Sequence, residues 1–206
     1  MMLKDAFTAV VDLYNTEGTK AENLWTEINT AYSYKKRYYH NLQHLENMYA
    51  ELLLCKHLVS DWDTIIFSLV YHDIIYKATA KDNEEKSADA AVKRLTEINY
   101  PESRVQLCKQ QILATKSHDV RSDNDTNLFT DADLAILGSD WESYTQYFKQ
   151  VRTEYAIYPD FMYNPGRKKV LQHFLAMNTI FKTAVFKDKL ELKAKSNIER
   201  EITLLF

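Results

Sequence analysis

The stretch TIIFSLVYHDIIY, residues 64–76, decides how the chain is read. Wound as a helix, its side chains Ile65, Ile66, Leu69, Val70 and Ile74 leave almost no polar face. A helix apolar nearly all round belongs at the centre of a fold. Asp61 stands where a capping residue would start it, which gives a helix over about 62–76. The whole chain of 206 residues holds only three glycines and three prolines. Sheets joined by tight turns need more of both. Apolar residues recur at three- and four-residue spacing, the period of amphipathic helices. The expected fold is therefore all-α: a single-domain helical bundle over 1–206. No repeat or low-complexity linker divides it.

Around the central helix the same periodicity predicts nine more. They cover about 3–15 (ending near Glu17-Gly18), 20–32, 41–57, 82–98, 102–116, 128–137, 140–156, 164–181 and 187–204. Pro101 fits the first position of the helix that follows it, where a missing N–H costs nothing. The charge-rich tail DKLELKAKSNIERE reads as a solvated outer helix. In this scheme residues 37–137 form the core of the site, and the helices of 140–206 pack on it.

Bulk properties exclude several functions. Net charge is −3 with the histidines neutral, which gives no electrostatic basis for a nucleic-acid polymer or an acidic membrane as partner. The basic run Lys35-Lys36-Arg37 reads as a solvated helix entry. No apolar stretch approaches the 20 residues of a membrane span. Cys55 and Cys108 lie far apart with no CxxC pair, as buried free thiols of a reducing compartment do. The expected location is cytoplasmic. An exposed aromatic-rich helix could pair two subunits as a homodimer.

The chemistry lies where ionisable groups interrupt apolar helices. His72 and Asp73 break the most apolar helix of all. A carboxylate buried there without compensation would cost several kcal/mol. A salt bridge would compensate it; a divalent cation taking His72 nitrogen and Asp73 oxygen together would do so better. Upstream, RYYHNLQHLENMY, residues 37–49, places His40 and His44 four apart, on one face of the predicted helix. Downstream, FTDADLAILG, residues 129–138, offers Asp131 and Asp133. Positions two apart point differently on a helix. Asp133, flanked inward by Leu134 and Leu137, is the one expected to face the core, and Asp131 to act as a cap or dipole partner. His44, His72, Asp73 and Asp133 then make a ligand set of two nitrogens and two oxygens. It suits a divalent metal ion (Mn, Fe, Mg, Ni, Co or Zn), among which composition does not choose.

The order His…His-Asp…Asp, with spacings of 28 and 60 residues, resembles the HD superfamily of metal-dependent phosphohydrolases. Tyr39-His40-Asn41 with His44 is similar to the Y-H-N-x-x-H segment of cyclic-nucleotide phosphodiesterases, and Ala132-Asp133-Leu134 to the segment that carries their last ligand. The chain as a whole looks like the small bacterial HD proteins of about 200 residues. The resemblance implies a phosphohydrolase acting on a small phosphorylated metabolite or nucleotide, through attack of water that the metal has acidified. It assigns His44, His72, Asp73 and Asp133 to the metal. It makes His40 the general acid and lets Asp73 or Asp133 orient the water. The alternative is a catalytically silent metal- or nucleotide-binding helical module.

Further candidates surround this set. Asp82 with Glu85 three residues on has the form of a capping box; Glu84 or Glu85 is alternatively a catalytic carboxylate at the metal or at a second cation. His118 ends a helix, where a cation is favoured, and the resemblance implies that it can join the site. Arg152, in VRTEY, with Glu154 and Tyr155, could close over the site and grip phosphate; an ordinary Arg–Glu surface pair is an equal reading, and Arg167 is similar. Tyr39 and Tyr76 could line the pocket or bond a ligand residue. His57 and His173 read as surface residues.

Overall fold

The computed structural model describes residues 2–15 and 18–205; Glu17, where the sequence puts the end of the first helix, lies outside them. The described residues form ten α-helices and no strand: α1 Met2–Tyr14, α2 Lys20–Tyr32, α3 Leu42–Leu54, α4 Trp62–Tyr71, α5 Asn83–Glu97, α6 Glu102–Ala114, α7 Asn124–Leu134, α8 Trp141–Glu154, α9 Asp160–Ala176 and α10 Ala184–Leu204. Short 3-10 turns follow α3 at Lys56–Leu58 and α7 at Ala135–Gly138. The all-α expectation holds. None of these helices is long and apolar enough to cross a membrane.

Helix α4 is the axis of the bundle. Every residue from Thr64 to Tyr71 is buried, and α4 packs against α1, α3, α5, α6 and α7. Burying Ile65, Ile66, Phe67, Leu69 and Val70 contributes on the order of 10 kcal/mol before chain entropy is set against it. Two of its buried hydroxyls have partners: Thr64 bonds Asp61 and Tyr100, and Ser68 donates to the Gln111 carbonyl at 2.6 Å; the Tyr71 hydroxyl has none. Asp61 caps the helix as expected, accepting from the Thr64 N–H at 3.1 Å. Around α4 one hydrophobic cluster runs from Leu3 to Ile198.

The far end of α4 departs from the sequence reading. The helix stops at Tyr71, not at residue 76. No glycine or proline marks the stop; a side chain from elsewhere makes it. The guanidinium of Arg37 donates to the carbonyls of Asp73 at 2.6 Å and Ile74 at 2.9 Å, and lies over the Tyr32 ring. It thereby serves carbonyls of the turn after α4, which have no helical partner, close to a helix end where a cation is also favoured. Arg37 is 9% exposed, so it is a buried clamp and not part of a solvated basic run. The turn it holds carries His72 and Asp73.

Other boundaries shift by a few residues. Pro101 sits just before α6. α7 starts four residues early because Asp123 caps it, accepting from the Thr126 N–H. α9 starts at Asp160, with Pro165 inside it. The tail is not a solvated outer helix: α10 buries Phe186, Leu190, Ala194, Ile198 and Glu201. It lies across the 3-10 turn that follows α7, where Gly138 allows close approach. A methyl group at Gly138 would stand 2.5 Å from Leu190 Cβ and 2.9 Å from its carbonyl oxygen. Gly138→Ala is expected to destabilise the fold by about 1–3 kcal/mol, through overpacking against backbone. Urea denaturation would measure it; an unchanged midpoint would show that α10 yields freely.

Candidate metal centre

Three helix ends converge on one buried polar cluster. His44 comes from the first turn of α3, His72 from the C-cap of α4, Asp73 from the turn after it, and Asp133 from the last turn of α7. The ligand atoms of His44, His72 and Asp133 all lie within 4.8 Å of one another, an arrangement that could hold a metal ion. His44 Nε2 is 3.2 Å from Asp133 Oδ1, and His72 Nε2 is 3.9 Å from the same oxygen. Asp73 joins through His72, its Oδ2 lying 3.3 Å from Nε2. These are charge contacts out of line for hydrogen bonds, so both buried Nε2 atoms lack a hydrogen-bond partner. His72 Nδ1 lies 2.8 Å from the Leu69 carbonyl, which can only accept. The proton therefore sits on Nδ1, and Nε2 is the nitrogen presented to the cluster.

Electrostatics keep the acids ionised. Burial alone would raise both carboxyls. His72 instead holds Asp73 well below the usual carboxylate range, and His118 and His44 do the same for Asp133. Burial lowers His44, against the pull of Asp133, and so favours the neutral imidazole that ligates metals. His72 goes the other way: despite burial, Asp73 and Asp133 push it up to about 9. Without another cation, a proton on His72 balances the two carboxylates.

His40 lies beside this cluster, though not for the expected reason. It precedes α3, whose cap is Asn41, accepting from the N–H groups of Gln43 and His44. A shared helix face therefore does not align His40 with His44. Their rings nevertheless sit 6.0 Å apart, because Glu154 from the end of α8 fixes His40 from behind. The Glu154 carboxylate lies 2.6 Å from His40 Nδ1 and accepts from the N–H groups of Tyr39 and His40 and from the Tyr76 hydroxyl. Tyr76 stacks on the His40 ring at 4.3 Å. Tyr39 packs against both His40 and His44. Burial lowers the affinity of His40 for a proton; the Glu154 hydrogen bond and the carboxylates of Asp73 and Asp133 outweigh it, and the net shift is upward.

The remaining candidates divide. His118 joins: its Nε2 is 3.0 Å from Asp133 Oδ2, on a residue held at φ 54°. Glu85 does not, since it pairs with Lys116 at the surface. Glu84 adds its charge to the same lysine, and neither glutamate enters the ligand cluster. Nor is there a capping box: Asp82 makes no cap bond and pairs with Lys86 at 2.8 Å. Arg152 is no phosphate grip. Its guanidinium is occupied by Asp160 and the carbonyls of Tyr155 and Tyr158. Arg167 is not a surface pair but a buried partner of Glu201. Asp131 does not cap its own helix: it lies well inside α7 and accepts from the N–H groups of Lys182 and Thr183, just ahead of α10. His57 and His173 are exposed.

Glu154 was legible only as one member of the VRTEY segment, and Arg37 only as part of a basic run. A cleft of about 560 Å³ opens on the centre, with Tyr39, His44 and Asp133 at one end. No protein-family model, characterised protein or solved structure matches this chain.

Proposed function

We propose that the chain is a metal-dependent phosphohydrolase of the HD type, acting on a small phosphorylated molecule. One observation carries this reading: two buried imidazole nitrogens without hydrogen bonds face an ionised carboxylate inside a 4.8 Å cluster. Leaving such groups unpaired is costly, and a cation would satisfy all of them. The mixed nitrogen and oxygen donors fit manganese, iron, cobalt, nickel or zinc better than calcium or magnesium, which prefer oxygen alone. His44, His72, Asp73 and Asp133 would hold the ion. When bound, such an ion acidifies water at neutral pH and offsets charge on phosphoryl oxygens.

The chain's own residues supply the rest. His40, kept protonated by Glu154, delivers a proton to the ester oxygen as its bond to phosphorus breaks. Glu154 fixes the ring through Nδ1, which leaves Nε2 as the edge that donates. Tyr76 holds the plane of the ring by stacking on it. His118 steadies Asp133 through its second oxygen.

Hydrolysis of a panel of phosphomonoesters and diesters, followed as phosphate freed from the former and alcohol freed from the latter, with and without Mn²⁺, tests the reading. His40→Asn and Glu154→Gln are expected to lower kcat by about 100-fold or more, the usual worth of a positioned proton donor, while the bound metal stays. Full turnover in His40→Asn would remove the proton donor from the scheme. No release from any ester would end the phosphohydrolase reading.

A further inference from the structure

Helix α3 packs on α1, α4 and α7, while α8 packs on the 3-10 turn after α7. The cleft of about 560 Å³ lies between α3 and α8. It begins at His44 and Asp133 and reaches Glu51 and Lys189. His44 and Glu51 are seven residues apart on α3, about 10 Å along the helix axis.

The walls have an unusual character for facing helices. The α8 wall is Ser143, Gln146, Tyr147 and Gln150, one helical stripe that is polar throughout. Opposite, α3 presents Gln43 and Asn47, joined by a hydrogen bond of 2.9 Å. Among the described residues, the side chains of Gln146 and Gln150 have no hydrogen-bond partner, their main chains being held within α8. The floor, by contrast, is apolar at Met48, Ile136 and Leu190. Charge is balanced away from the centre. Lys189 pairs with Glu51 at 2.8 Å, and Asp140, a cap of α8, and Lys193 add one charge of each sign to the lining. Carboxamides donate and accept equally, and match neutral groups that carry several hydroxyls. An apolar floor under such walls takes the C–H face of a carbon chain or ring.

We propose that this cleft binds the part of the substrate beyond its phosphate, and that this part is an uncharged polyol or sugar of about six carbons. The proposal rests on the phosphohydrolase reading, which fixes the phosphate at the metal centre. Chain length alone does not satisfy the walls; the hydroxyl groups do.

Sorbitol 6-phosphate and hexyl phosphate have the same carbon count and differ in hydroxyls. With Mn²⁺ present, the wild-type chain is expected to favour sorbitol 6-phosphate in kcat/KM by about tenfold or more, the worth of one or two net hydrogen bonds. In the double variant Gln146→Leu/Gln150→Leu, the preference is expected to fall to about twofold or less, chiefly through KM for the polyol ester. Both positions are at the surface of α8, so the fold should be retained; thermal unfolding checks it. Equal kcat/KM for the two esters in the wild type, or a preference that survives in the double variant, overturns the proposal. If neither is hydrolysed while another ester of the panel is, the proposal is overturned; if no ester of the panel is, the phosphohydrolase reading fails instead, and calorimetric binding of the same two esters decides the cleft. Tighter binding of the polyol ester by the wild-type chain alone supports it, and equal binding overturns it.

Discussion

His72→Ala is expected to lower bound transition metal from about one ion per chain to below a tenth, and phosphate release by about 1,000-fold. Groups that merely orient a metal ligand are typically worth 10–100-fold, so loss of the ligand should exceed that. The argument is geometric. His72 Nε2 lies against both carboxylates of the cluster, 3.3 Å from Asp73 and 3.9 Å from Asp133, and no other imidazole can replace it from the end of α4. Truncating it also removes the group that balances the two acids, so some loss of stability is expected. Asp133→Asn separates the effects, since it keeps the volume of the side chain. It should also abolish metal retention, and the Tm should no longer rise with added Mn²⁺. Metal content by elemental analysis and turnover by phosphate release are the two readouts. Wild-type values of both in either variant would contradict the assignment.

Glu201→Ala is expected to cost about 3–5 kcal/mol, the range for stranding one member of a buried ion pair. Glu201 accepts from Arg167 Nε at 2.8 Å and Nη2 at 3.0 Å, and from the Tyr144 hydroxyl at 2.5 Å. Both partners of the pair are nearly inaccessible, with side chains 9% and 1% exposed. The alanine would leave the buried guanidinium with only its long bonds to the Tyr147 hydroxyl, at 3.3 and 3.4 Å, and the Tyr144 phenol without its acceptor. Scaled to a domain of this size, the Tm should fall by roughly 6–20 °C. The pair is costly to break and contributes less than that to net stability. Arg167→Met with Glu201→Leu should therefore recover most of the loss. Calorimetry on the single and double variants measures the coupling. A double variant as unstable as the single one would mean that lost packing, not a stranded charge, is the cause.

The sequence made the fold class legible because its strongest signal was local. The unbroken apolar run of α4 and the scarcity of glycine and proline need no knowledge of tertiary contacts. The ligand cluster was legible for a related reason: His72, Asp73 and Asp133 stand in apolar helical surroundings, where an ionisable group needs compensation. The choice between Asp131 and Asp133 followed from helical phase. What escaped were bonds between distant segments. Arg37 ends α4 across 36 residues, and Glu154 reaches His40 across 114. Neither leaves a periodic trace. Arg152 attracted attention by its charge, yet the residue that reaches the site is the carboxylate two positions on. His40 was placed in a helix because an i, i+4 pair suggests one; the Asn41 cap begins the helix one residue too late for that. α10 was taken for a surface helix because charges hide its apolar stripe of Phe186, Leu190, Ala194 and Ile198.

X-ray absorption spectroscopy on the 206-residue chain, stripped with chelator and reloaded with one equivalent of Mn²⁺, is the most direct test of the centre. The account predicts one ion per chain, coordinated by two imidazole nitrogens with oxygen atoms completing the set, and loss of one nitrogen in His44→Ala. An ion surrounded by oxygen alone, or no retained ion at all, would contradict it.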